Sequence, residues 1–150
     1  MSFDELRDLY QEVILDHGRR PRNHRRLEAF DATAKGDNPM CGDRCQVWIR
    51  RTPEGGIADA TFEARGCAIS VASGSLMTEA VRGRSAGEIH ALADRFREMV
   101  RTGQHADPSL DTLAPLAGVH EYPSRVKCAT LPWHALLAAL DGKGEATSER

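Results

Sequence analysis

Leu6, Leu9, Tyr10, Val13 and Ile14 recur at the three- and four-residue spacing of a single helix face, which predicts an amphipathic helix over Phe3 to Asp16. Acidic residues crowd its first turns, and Gly18 is the expected stop. Arg19, Arg20, Arg22, Arg25 and Arg26 follow, interleaved with Pro21, Asn23 and His24, a stretch too rich in Pro and Asn for a helix and read as an exposed loop. The pattern then changes to period two. Asp31 to Gly36 is weakly strand-like, Gln46 to Arg50 more strongly so, and Pro53-Glu54-Gly55-Gly56 is a turn. Beyond it Ile57 to Arg65 alternates with one slip, giving a β-hairpin joined by a third antiparallel strand. From Ala68 to Arg82 the chain is small, apolar and helical in pattern. Ser85-Ala86-Gly87-Glu88 is a capping box opening a helix to about Arg101, with Ile89, Leu92, Phe96 and Val100 on one face. Thr102 to Pro108 reads as a loop and Leu110 to Leu116 as a short helix. Pro123 suits the first position of a last helix reaching about Leu140, with Pro132 a kink or irregular turn inside it. Gly142 to Arg150 reads as a frayed, disordered tail.

These elements add up to a single α+β domain over residues 1–150, without repeats. Apolar residues make up 41% and aromatics only 5%, so the core is expected to be aliphatic. A net charge of −2 gives no global case for nucleic-acid binding, and no apolar run approaches the length of a membrane span. The acidic start Met1-Ser2-Phe3-Asp4-Glu5 lacks the apolar core of a signal peptide, so a cytoplasmic protein is expected.

In a reducing compartment the four cysteines read as metal ligands or reactive thiols rather than disulfides. Three stand in short motifs of their own: Asn38-Pro39-Met40-Cys41-Gly42-Asp43, Gly66-Cys67-Ala68-Ile69-Ser70 and Arg125-Val126-Lys127-Cys128-Ala129. Three thiolates and one carboxylate can close a tetrahedral site, and zinc accepts that mixed donor set. Cys41 and Asp43, two apart, would point the same way in an extended segment, and Gly42 between them would bring a backbone N–H close. Cys67 falls where the hairpin ends and a helix begins, a position that favours a thiolate. By spacing alone, Asp43 and Cys45 are equal candidates for the fourth ligand, because Cys41 and Cys45 make a C-x3-C pair. None of the six histidines stands in a cysteine motif, which fits poorly with a cysteine hydrolase.

Taken in order, the three motifs resemble the IscU-type scaffold superfamily of iron–sulfur cluster assembly, which includes the NifU N-terminal domains, and most closely its SufU branch. Leu9-Tyr10-Gln11-Glu12-Val13-Ile14-Leu15-Asp16-His17, Pro21-Arg22-Asn23 and Leu131-Pro132-Trp133-His134-Ala135-Leu136 extend the likeness over nearly the whole chain. Lys127 stands where IscU-type scaffolds carry a histidine, and Glu121 to Val126 replaces their Leu-Pro-Pro-Val-Lys motif. The stretch between Cys67 and Cys128 is also longer, and all three differences favour the SufU branch. The resemblance implies an α+β fold with a small antiparallel three-stranded sheet packed against about five helices. It implies zinc held by Cys41, Asp43, Cys67 and Cys128. It implies a sulfurtransferase in which Cys41 accepts persulfide sulfur from a PLP-dependent, SufS-type cysteine desulfurase and passes it to downstream cluster-assembly machinery. In the family a histidine of the desulfurase replaces the acceptor cysteine on the metal and frees it to attack.

Arg125 and Lys127 flank the last cysteine and are candidates for steadying the thiolates and the persulfide anion, against solvated helix positions. Cys45 departs from the family pattern, and buried filler is favoured over a spare ligand or a resolving thiol. Two other functions compete with the sulfurtransferase. The same ligands could carry an iron–sulfur cluster as a scaffold, or the site could be a structural zinc module without turnover. The arginine run is read as a solvated loop ahead of a docking strip for an acidic partner, with nucleic acid least favoured.

Overall fold

The computed structural model describes residues 3–39, 42–105 and 107–147. Helix α1 (Phe3–Arg19) leads into strands β1 (Ala32–Asn38), β2 (Asp43–Arg51) and β3 (Ile57–Arg65), then helices α2 (Ala68–Val81) and α3 (Ala86–Thr102). Two 3₁₀ segments (Pro108–Leu110 and Ala114–Glu121) precede helix α4 (Pro123–Leu140) and a short strand β4 (Glu145–Thr147). β1, β2 and β3 form the expected antiparallel sheet, in the order β3-β2-β1-β4. The slip in the alternation of β3 corresponds to an irregular register where β2 passes from Arg50 to Arg51.

Both outer strands of the antiparallel trio have part of their free edge occupied. On the β3 side, the Phe62 N–H donates to the Asn23 carbonyl at 3.0 Å, and the Ala64 N–H donates to His24 Nε2 at 3.1 Å. The His24 ring also stands edge-on to Phe62, 5.0 Å between centroids. On the other side β4 pairs in parallel with Lys35, Gly36 and Asp37 of β1, so part of the segment expected to fray is a strand. That strand lacks any alternation of apolar residues and forms on an edge left open by β1.

One face of the sheet packs on α2 and α4, and the core is mainly aliphatic, with Trp133, Phe62 and Phe96 its largest members. Phe96 of α3 stacks on Trp133 of α4 at 4.8 Å. α2 approaches β3 closely because Gly74 has no side chain; a Cβ there would overlap the Phe62 ring.

Two expectations about helix ends change. α1 continues through Gly18 to Arg19, and that glycine lies beside Ala68 with room for an ordinary Cβ contact of 3.6 Å to its carbonyl oxygen. Leu110 to Leu116 is no single helix, since Pro108 and Pro115 each open a separate 3₁₀ segment. By contrast α4 spans Pro123–Leu140 with Pro132 inside it.

Candidate metal centre

Asp43 opens β2 and is buried; Cys67 caps α2; Cys128 lies in the second turn of α4, also buried. The sheet register puts Arg44 opposite Arg65, so Asp43, one step further, lies level with Gly66 and the start of α2. One potential ligand atom from each of Asp43, Cys67 and Cys128 then lies within 4.8 Å of the other two. A tetrahedral zinc with bonds of about 2.0–2.3 Å sets ligand–ligand edges of about 3.3–3.8 Å. Movements of about an ångström would therefore close these donors on a metal, and a carboxylate with thiols is a donor set that zinc accepts. Cys41, the fourth expected ligand, lies outside the described residues.

Backbone geometry fixes the carboxylate. Gly66 has φ +121°, and a Cβ there would overlap Asp43 Oδ1. The space left by the glycine lets the Cys67 N–H donate to Oδ1 at 3.0 Å, while Ser70 Oγ stands 2.9 Å from Oδ2. The expected amide of Gly42 is engaged elsewhere, donating to the Asn38 carbonyl at 2.8 Å. The N–H that reaches the site is that of Cys67.

The Cys67 sulfur receives the Ile69 N–H at 3.3 Å, in the manner of an N-cap, and Arg125 Nη1 at 2.7 Å. A helix N-terminus and a guanidinium thus both place positive charge beside that sulfur. Lys127 is placed differently: it lines a groove between α3 and α4 with Arg97, Arg101, Thr130 and His134.

Of the two candidates left open by spacing, Asp43 is the one that lies with Cys67 and Cys128. Cys45 is two residues down the same strand, buried, with its sulfur 3.9 Å from the Leu131 carbonyl. Burial pushes its thiol up to about 12, only partly opposed by a hydrogen bond with the Gly36 backbone. The thiolate fraction at pH 8 is then roughly 10⁻⁴. In metal-free folded protein, iodoacetamide at pH 8 is expected to label Cys67 while Cys45 stays unmodified until denaturant is added. Mass spectrometry of the digested protein checks this, and labelling of Cys45 as fast as Cys67 would show that the strand opens.

Among the described residues no histidine joins the group. His17 is packed against Ser75 Oγ at 2.6 Å, and burial lowers its tendency to protonate. The arginine run is tied down locally: Arg20 and Arg22 pair with Asp16, and Arg25 joins Arg50 and Arg82 around Asp59. Ser70 had no signal of its own in the sequence beyond lying one turn after Cys67.

Among the described residues no helix is long and apolar enough to cross a membrane. The chain matches the family of the NifU-like N-terminal domain over residues 9–129. It is 42% identical over 141 residues to the iron–sulfur cluster assembly scaffold protein IscU of Streptococcus pyogenes serotype M1, covering 93% of this chain and 87% of that one. It is 40% identical over 140 residues to the zinc-dependent sulfurtransferase SufU of Bacillus subtilis strain 168, covering 91% and 92%. Among solved structures, a candidate cluster-assembly scaffold protein for the SUF system of Fervidobacterium islandicum AW-1 superposes with a TM-score of 0.79 at 32% identity, over 86% of this chain and 94% of the other.

Proposed function

This chain belongs to the NifU-like N-terminal domain family, and from that membership we propose that it is a zinc-dependent sulfur acceptor serving iron–sulfur cluster assembly. The observation that carries the proposal is the convergence of Asp43 with Cys67 and Cys128. With Cys41, tethered by two residues within about 7 Å of the Asp43 Cα, they would hold one zinc. The metal when bound keeps thiols deprotonated without redox chemistry.

Sulfur would arrive as a persulfide on the active cysteine of a SufS-type desulfurase. The Cys41 thiolate attacks the terminal sulfur of that persulfide. A new S–S bond forms on Cys41, the donor's S–S bond breaks, and the electron pair leaves on the donor's cysteine as a thiolate. Asp43, Cys67 and Cys128 have no part in the exchange and keep the site assembled. Arg125, beside the Cys67 sulfur and exposed, supplies positive charge to the group of thiolates. Lys127 lines the groove between α3 and α4 and adds positive charge one residue before Cys128.

The scaffold reading is favoured by the identity to the Streptococcus protein, since the same donors can hold a cluster. Protein purified without oxygen separates the two. About one zinc per chain and no visible absorption is the expected result. Brown protein with bound iron and sulfide would overturn the zinc reading and make the four residues cluster ligands.

A further inference from the structure

Ser70 is fully buried in the first turn of α2, with its hydroxyl oxygen 2.9 Å from Asp43 Oδ2 and 3.0 Å from the Cys128 carbonyl oxygen. A hydroxyl has one proton, so it serves one of these acceptors at a time, and the charged carboxylate is the stronger. The Cys128 carbonyl would ordinarily receive the N–H of the residue four positions on. That residue is Pro132, which has none. The proline in mid-helix and the serine in an apolar helix thus meet at the same atom.

We propose that Ser70 is a positioning residue for the metal centre, holding the Asp43 carboxylate in its ligating orientation. With Pro132 four positions on, no helical N–H of that residue stands at the Cys128 carbonyl, and the Ser70 hydroxyl has room between the two ligand-bearing residues. The inference rests on the metal-site reading above. Oδ1 is fixed by the Cys67 amide and Oδ2 by Ser70, so the plane of the carboxylate is set before a metal arrives. Without the hydroxyl, Oδ2 loses this contact and the carboxylate is held less firmly in that plane.

Ser73 is the internal control. It lies on the same helix, is equally buried, and donates at 2.5 Å to the carbonyl of Ala129, which is not one of the proposed ligands. Zinc affinity of the full chain is measured against a chromophoric chelator, with a thermal melt to record folding. S70A is expected to lose about 10–100-fold in affinity, as loss of an orienting hydrogen bond typically does. S73A is expected to bind zinc like the wild type while losing comparable thermal stability. In a D43A background, S70A should add no further loss, because the serine acts through that carboxylate. Equal affinities of S70A and S73A, or a full S70A loss persisting in D43A, would overturn the role of Ser70. A wild-type chain that binds no zinc would overturn the metal reading and this inference together.

Discussion

Changing Cys41 to alanine is expected to abolish stimulation of a cysteine desulfurase, the largest single effect the site allows. The acceptor reading gives Cys41 the only bond-forming role, and the three cysteines among the described residues are each engaged or buried. Cys67 is engaged by Arg125 and the Ile69 amide, Cys128 is buried in α4, and Cys45 is buried under Leu131. Three donors remain in the variant, so zinc should be weakened rather than lost, and the fold should survive. Desulfurase turnover with and without the variant gives the first readout. The mass of the protein after incubation with the loaded desulfurase gives the second: the wild type gains one sulfur atom and the variant none. Undiminished stimulation by C41A would end the acceptor assignment.

Gly66→Ala should remove the metal site without touching any proposed ligand. The backbone there has φ +121°, which a residue with a Cβ rarely adopts, and the added methyl would overlap Asp43 Oδ1. Either the carboxylate moves off the Cys67 amide, or the start of α2 moves and takes the Cys67 sulfur with it. Each separates donors that now lie within 4.8 Å. Strain plus overpacking costs about 1–3 kcal/mol of folding stability, and zinc affinity is expected to drop at least as far as on loss of an orienting contact, about 10–100-fold. A chelator titration beside a thermal melt measures both. Wild-type affinity together with a wild-type melt would mean that Asp43 is not held against Gly66.

Some elements could be read directly from residues. β3 was bounded by its alternation and the Pro53–Gly56 turn, and α4 by Pro123, because these signals act within one turn or strand. What was misread depended on partners distant in sequence. Gly18 resembles a helix stop, yet the helix runs one residue past it, beside Ala68 at the start of α2. Glu145–Thr147 has no pattern of its own and pairs because β1 offers an edge. In the site, Asp43 and Cys45 share one face of one strand, so no local rule ranks them. The ladder does: Cys45 is opposite Ala64, whereas Asp43 lies level with Gly66. Ser70 was missed because its two partners come from β2 and α4, 27 and 58 residues away.

The partly occupied edges of the three antiparallel strands bear on how other proteins can hold this one. A partner that recognises its target by adding a strand needs a row of unsatisfied main-chain groups. Here part of that row is taken by Asn23 and His24 on one side and by β4 on the other. A partner then finds few open main-chain groups on these strands, and side-chain contacts must make up the larger share of its grip. Such contacts read sequence, whereas backbone pairing would be indifferent to it.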